Sequence, residues 1–189
     1  MRRVSVVGTS GSGKSTFARA LAERLDVPFI ELDALHHGPG WTEASPEELR
    51  ARVEAATAGP EGWVIDGNYE TKLGDLVWEA ADTLVWLDLP LHLSLRRLWS
   101  RTSRRIRTGE ELWNGNRESW RGAFWGRESL FAWTVRSHVR RRREWPERAE
   151  RFGVVRIRTP QEVQAFLDGA AASGTPPATP APGGPARSA

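Results

Sequence analysis

Nine residues near the start constrain this 189-residue chain more than any others: Gly8-Thr9-Ser10-Gly11-Ser12-Gly13-Lys14-Ser15-Thr16. They follow the apolar, β-branched run Val4-Ser5-Val6-Val7 and precede Phe17 to Leu25, where apolar residues recur at helical spacing among good helix formers. The pattern G-x-x-x-x-G-K-[ST] is complete and lies in the strand, glycine loop, helix context that a phosphate-binding loop (P-loop) requires. Gly8, Gly11 and Gly13 let the main chain approach an anion closely. The amides of Ser10 to Thr16 and the positive end of the helix dipole would then cradle a β-phosphate. Lys14 supplies a cation for the β- and γ-phosphates, and Ser15 a hydroxyl for Mg²⁺. ATP with Mg²⁺ is the expected cofactor pair.

The rest of the chain bounds what the phosphate is used for. Its length suits one α/β domain. Without cysteine, disulfides and thiolate metal sites are excluded. No apolar run approaches membrane-spanning length, and Met1-Arg2-Arg3 leads straight into the first strand, so the expectation is a cytoplasmic protein with no membrane partner, monomeric or homodimeric. Residues 96–151 carry 16 arginines against 7 acidic residues, +9 locally, while the remainder of the chain is −6. Such a segment suits phosphates, whether on a nucleotide or on a nucleic-acid backbone. Nucleic acid is the less favoured partner, because no base-reading motif accompanies the charge. Six of the ten tryptophans fall between Trp86 and Trp133, as core and lid packing would require.

Strand-like and helix-like segments alternate. Val27 to Asp33 reads as a second strand ending in a carboxylate, and open parallel sheets hold ligands at the carboxyl ends of their strands. Ala34 to Trp41 reads as a loop. In it, His36-His37 point to acceptor contact or loop packing rather than to metal, and Trp41 either packs on a substrate ring or closes the loop. Ser45-Pro46-Glu47-Glu48 opens a helix to about Ala58. Trp63 to Asp66 is a third strand. Asp66 either holds Mg²⁺ through its water shell or makes a turn with Gly67. Residues 71–80 read as helical, and Thr83 to Pro90 as a strand buried on both faces, with Asp88 a weaker candidate. A helix from Leu91 to Arg107 puts Arg97 and Arg101 on one face, where forked guanidinium groups can bracket a triphosphate. Residues 108–126 lack periodicity and suit a mobile lid. A helix over roughly 128–144 carries Arg136 and Arg140 to Arg143 as further phosphate candidates. Val154 to Arg158 is the last strand, and Thr159-Pro160-Gln161-Glu162 starts the last helix with capping-box spacing. The expected plan is a P-loop domain over 1–172, with a lid at about 104–145 and a disordered Pro/Ala/Gly-rich tail over 173–189.

The plan is α/β: a three-layer fold with a five-stranded parallel sheet, helices on both faces and a helical lid. It resembles the nucleoside monophosphate kinase class, such as adenylate kinase and shikimate kinase, over about residues 2–168. Val64-Ile65-Asp66-Gly67 is similar to the adenylate kinase strand whose Asp assists Mg²⁺. Leu87-Asp88-Leu89-Pro90, followed by Arg97 and Arg101, is similar to that family's LDxP strand with R-x-x-x-R. The resemblance implies that Arg97 lies along the adenine, that Arg101 contacts ATP phosphates and that the Thr159-Pro160 turn touches the adenine. Leu32-Asp33, Trp41 and Trp63-Val64-Ile65-Asp66-Gly67-Asn68-Tyr69 resemble more closely the related proteins called DNA topology modulation proteins. Adenylate kinases continue Asp-Gly-Phe-Pro-Arg, with the arginine on the AMP phosphate. Here Asn68-Tyr69 follows Gly67 with no arginine, so the resemblance does not carry AMP over. The implied acceptor pocket offers Asp33, His36, Trp41, Asn68 and Tyr69 to a small-molecule acceptor, with Asp33 receiving the proton of its hydroxyl. A nucleotide-dependent, DNA-associated regulator is the alternative.

Overall fold

The computed structural model describes residues 1–59 and 61–173, and the expected tail beyond Ser173 lies outside the described residues. Five strands, β1 (Arg3–Gly8), β2 (Phe29–Glu31), β3 (Trp63–Asp66), β4 (Thr83–Leu87) and β5 (Val155–Ile157), form one parallel sheet in the order β2-β3-β1-β4-β5. β1 is central, so the loop after it opens at the middle of the sheet's carboxyl edge.

Alternation along each strand divides the core in two. Val4 and Val6, Val64, and Val85 and Leu87 turn toward α1 (Lys14–Leu25) and α9 (Pro160–Ser173), meeting Phe17, Leu21 and Phe166. Val7, Trp63 and Ile65, and Leu84 and Trp86 turn the other way. They meet α3 (Pro46–Thr57), the short α4 (Glu70–Leu73) and α5 (Leu76–Ala80), and Trp145 of α8 (Leu130–Arg151). Burying each such side chain stabilises by about 1.5–3 kcal/mol. Trp86 lies 5.2 Å from Trp145, and Trp145 5.7 Å from Trp78, so with Trp63 four of the tryptophans are core.

Local chemistry sets most boundaries. Ser45 and Glu48 close a reciprocal capping box on α3. The predicted helix over 71–80 is two helices, broken where Gly74 takes a φ of +61°. β2 ends two residues earlier than predicted. Leu32 to His36 form a one-turn helix, α2, so Asp33 sits on a helix rather than at a strand end. α6 (Leu91–Thr108) closes with Gly109 at a φ of +64°. The segment expected as a lid carries regular elements: a tight turn at Trp113–Gly115, then α7 (Trp120–Phe124), then α8, which runs through Pro146 to Arg151.

Candidate functional site

The P-loop is fixed from three sides. Gly8 donates its amide to Asn68 Oδ1 at 2.9 Å, and Asn68 Nδ2 donates back to the Gly8 carbonyl at 2.6 Å. Both polar ends of that amide bond the loop, so Asn68 ties the P-loop to the segment after β3. Thr9 Oγ1 and His138 Nδ1 of α8 are 2.9 Å apart and buried. A Cβ at Gly11, where φ is +81°, would collide with the Ser94 carbonyl of α6, so only glycine lets that helix pack against the loop. The first-turn amides of α1 have no partners within the helix, as at any helix start.

Charge converges on this cradle. Ser15 Oγ donates to Asp66 Oδ2 at 2.5 Å, while Asp66 Oδ1 is buried with no hydrogen-bond partner. Burial holds the Asp66 carboxyl above its ordinary range, against the pull of Lys14 and of the Ser15 hydroxyl. Burial likewise lowers the Lys14 ammonium, opposed by Asp66 and Asp33 and reinforced by Arg141 and Arg101. Ser15 and Asp66 fit Mg²⁺: a hydroxyl, one carboxylate with an unsatisfied oxygen, and phosphates and waters for the remaining positions. Among the described residues no group of three or more His, Asp or Glu side chains is set for a metal.

The arginines divide into those already paired and those still available. Arg97 is exposed and donates from Nη1 to the Ser12 carbonyl at 3.2 Å, which puts it on the rim of the loop. Arg101 is partly buried, and its Nε has no hydrogen-bond partner. Arg141 of α8 is 4% exposed with Nη1 unpartnered, and burial pulls its guanidinium down to about 10. Arg140 and Arg136, the lid arginines singled out from sequence, are instead on the surface, paired with Glu144 and Glu128. Thr134, His138, Arg141 and Trp145 recur at i, i+4, i+7 and i+11 and are all buried. That stripe is the signal that separates Arg141 from its three arginine neighbours. Much of the basic segment is neutralised internally: Arg104 and Arg105 by Glu110, Arg105 also by Glu118, Arg117 by Glu111, and Arg142 by Asp88. Asp88 is held by both Arg142 and Arg156, so it ties α8 and β5 to β4.

On the other side of Lys14 lie the acceptor candidates. Tyr69 donates its hydroxyl to Asp33 Oδ1 at 2.7 Å, and burial with Asp33 nearby raises the phenol far above its ordinary value. His36 is 3% exposed, lowered by burial, and set edge-on to His37 and tilted against Tyr69. Its Nε2 lies 3.4 Å from Lys72 Nζ. Trp41 takes a φ of +61° and donates from Nε1 to the Arg117 carbonyl, so it closes a loop onto the lid. Closing its loop is one of the two readings open to Trp41 from sequence, but its partners at 116 and 117 are not legible there. Asn116, 4% exposed, accepts from the Trp41 amide and donates to the carbonyls of Gly38 and Trp113. Asn114 donates to the His37 carbonyl, and Trp113 Nε1 donates to Glu31 Oε2 at 3.1 Å. Thr159 caps α9 at the carboxyl edge, accepting from the Glu162 amide with Pro160 as the first helical residue.

A family model described as "ATPase family associated with various cellular activities (AAA)" matches residues 4–65. A shikimate kinase from Sulfurihydrogenibium sp. (strain YO3AOP1) is 31% identical over 111 residues, 52% of this chain and 67% of that protein. In fold, the chain is similar to a gluconokinase from Sinorhizobium meliloti 1021, with a TM-score of 0.51 at 21% identity and 90% of each chain covered. It is similar also to a shikimate kinase from Bacteroides thetaiotaomicron, with a TM-score of 0.53 at 14% identity, covering 88% of this chain and 94% of that one. These likenesses support a P-loop kinase and not the DNA-topology-modulation naming, and none of them favours the DNA-associated alternative. No helix among the described residues is long and apolar enough to cross a membrane.

Proposed function

The chain belongs to the P-loop kinase family that holds shikimate kinase and is an ATP-dependent small-metabolite kinase, and from that premise we propose how its residues divide the work. The observation that carries the assignment is the meeting, around Lys14, of the Ser15–Asp66 pair with Asp33 and with two cations, Arg101 and Arg141, that keep unpartnered N–H groups. Unsatisfied guanidinium donors beside an anion cradle suit the charge that builds on a transferring phosphoryl group.

The P-loop amides and Lys14 hold the β- and γ-phosphates, and Arg97 stands at the rim on the nucleotide side. Mg²⁺, when bound, neutralises phosphate charge, and Ser15 and Asp66 are the residues to hold it. Asp33, oriented by the Tyr69 hydroxyl, accepts the proton of an acceptor hydroxyl. That oxygen bonds to the γ-phosphorus, the bond from phosphorus to the β,γ-bridging oxygen breaks, and ADP leaves with the electron pair. Arg101 and Arg141 stabilise the charge in flight. The adenylate-kinase-like assignment of Arg97 and of the Thr159-Pro160 turn to the adenine is part of this proposal, supported by the contact of Arg97 with Ser12.

Lys14→Ala tests the reading. Calorimetry with Mg²⁺ and ATP should show binding for the native protein and a loss of at least about tenfold for the variant, about 1.4 kcal/mol, with its thermal transition retained. A native protein that gives no heat with ATP overturns the reading.

A further inference from the structure

The kinase reading gives Arg141 a task on the phosphates and no task to the buried histidine one turn before it. His138 and Arg141 stand three residues apart on α8 and share its buried face. His138 Nδ1 meets Thr9 Oγ1 at 2.9 Å. Thr9, the second residue of the P-loop, is buried as well, and its carbonyl accepts from the Ser12 amide at 3.0 Å and from Lys14 Nζ at 3.4 Å. One threonine therefore carries the P-loop lysine on its carbonyl and the lid helix on its hydroxyl. Burial holds the His138 ring toward its neutral form, with Arg142 and Arg141 adding to that and Asp88 opposing it. A neutral ring with its proton on Nε2 accepts the Thr9 hydroxyl proton at Nδ1.

The other anchors of α8 show what this contact fixes. The second half of the helix is held to the sheet. Arg142 pairs with Asp88 at 2.9 Å, Arg156 of β5 shares that carboxylate, and Trp145 packs edge-on to Trp86 and Trp78. The first half belongs to the lid, where Phe131 stacks on Phe124 of α7 at 4.6 Å and sits edge-on to Trp99 of α6. His138 lies between the two halves, where the helix passes the loop. A buried hydrogen bond there sets both the rotation of the helix and its slide past the loop, and a slip of one residue would turn the face by about 100°. Arg141 follows that setting. Its guanidinium is flanked by the rings of Trp133 and Trp145, keeps Nη1 unpartnered, and is close enough to Lys14 to lower the ammonium.

We propose that His138 is a positioning residue of the phosphate site: by holding Thr9 it sets α8 against the P-loop so that Arg141 reaches the γ-phosphate. The proposal rests on the kinase reading.

The test compares two nucleotides. ADP and a non-hydrolysable ATP analogue share the β-phosphate cradle and differ in the γ-phosphate. A variant that only disturbs the loop weakens both alike, whereas one that misplaces Arg141 weakens the analogue selectively. Calorimetry with Mg²⁺ on the full chain of His138→Leu, with its thermal transition retained, should show the analogue at least about tenfold weaker, about 1.4 kcal/mol, and ADP within about threefold of native. His138→Asn, which returns a polar group to meet the Thr9 hydroxyl, should recover most of the loss. Thr9→Val breaks the same bond from the other end and gives the same comparison if His138→Leu does not fold. In an Arg141→Met background, His138→Leu should cost the analogue nothing further, because the two changes act through one contact. A native protein that binds neither nucleotide overturns the kinase reading itself. Equal weakening of ADP and the analogue, unchanged affinity for both, Asn no better than Leu, or full additivity of the His138 and Arg141 changes overturns the proposal.

Discussion

Replacing Arg141 with Met separates function from stability at one side chain. The guanidinium is 4% exposed, has no ion-pair partner at hydrogen-bond distance among the described residues, and is pulled well below its ordinary value, to about 10, with burial the main cause. For a cation whose folded value is lowered, the penalty is fully present below that value and is relieved only as pH rises through it. At neutral pH it is therefore in force, at about 3 kcal/mol. Against it stand the contacts of the guanidinium with the rings of Trp133 and Trp145, at 5.6 and 5.3 Å, worth about 0.5–2 kcal/mol together. Met fills similar space and gives up both effects, so the ligand-free variant should gain about 1–2 kcal/mol. In a domain of this size that is a rise of roughly 2–8 °C in Tm. The same variant should bind Mg·ATP more weakly and lose about 100-fold or more in phosphoryl transfer. Scanning calorimetry and ATP titration read both. A variant that melts lower and binds ATP normally would refute the reasoning and make Arg141 a fixture of the tryptophan core.

Three further outcomes are expected. Asp66→Asn removes a buried carboxylate whose raised pKa costs stability once pH rises above it, so the ligand-free protein should melt no lower at neutral pH while the Mg²⁺ dependence of ATP binding disappears. Asn116→Ala removes two hydrogen bonds to the acceptor loop, at Trp41 and Gly38, and one within its own turn, at Trp113, about 1–3 kcal/mol in all; hydrogen exchange should rise at 37–43 and 111–117 with little change in the sheet. His36 and His138 both have lowered folded values, burial being the chief cause, so they bind fewer protons folded than unfolded. Their contribution is present above about pH 6.5 and lost as pH falls below it; a double His→Asn variant should flatten the fall in Tm between about pH 7.5 and about pH 5.5.

Local rules carried far into this fold. The nine-residue loop is legible because glycine conformations and a lysine at one spacing have few other uses, and β1, β3 and β4 declare themselves by unbroken apolar runs. Ser45 and Glu48 set the start of α3 by local hydrogen bonds alone. Asp33 was recognisable as a polar residue at the sheet's edge, but its helical placement was not, because β2 yields to α2 under packing that a single strand's sequence does not contain.

What the sequence determined by itself was the glycine-lysine loop and the parallel sheet around it, since each follows from residues adjacent in the chain or from strand pattern. Tertiary structure alone decided which arginine of Arg140 to Arg143 is turned inward, that Asn68 is spent on Gly8, and that Asn116 joins the lid to the acceptor loop. The physical reason is range: a hydrogen bond across 60 or 75 residues depends on how whole elements dock, and neither composition nor local periodicity encodes that docking.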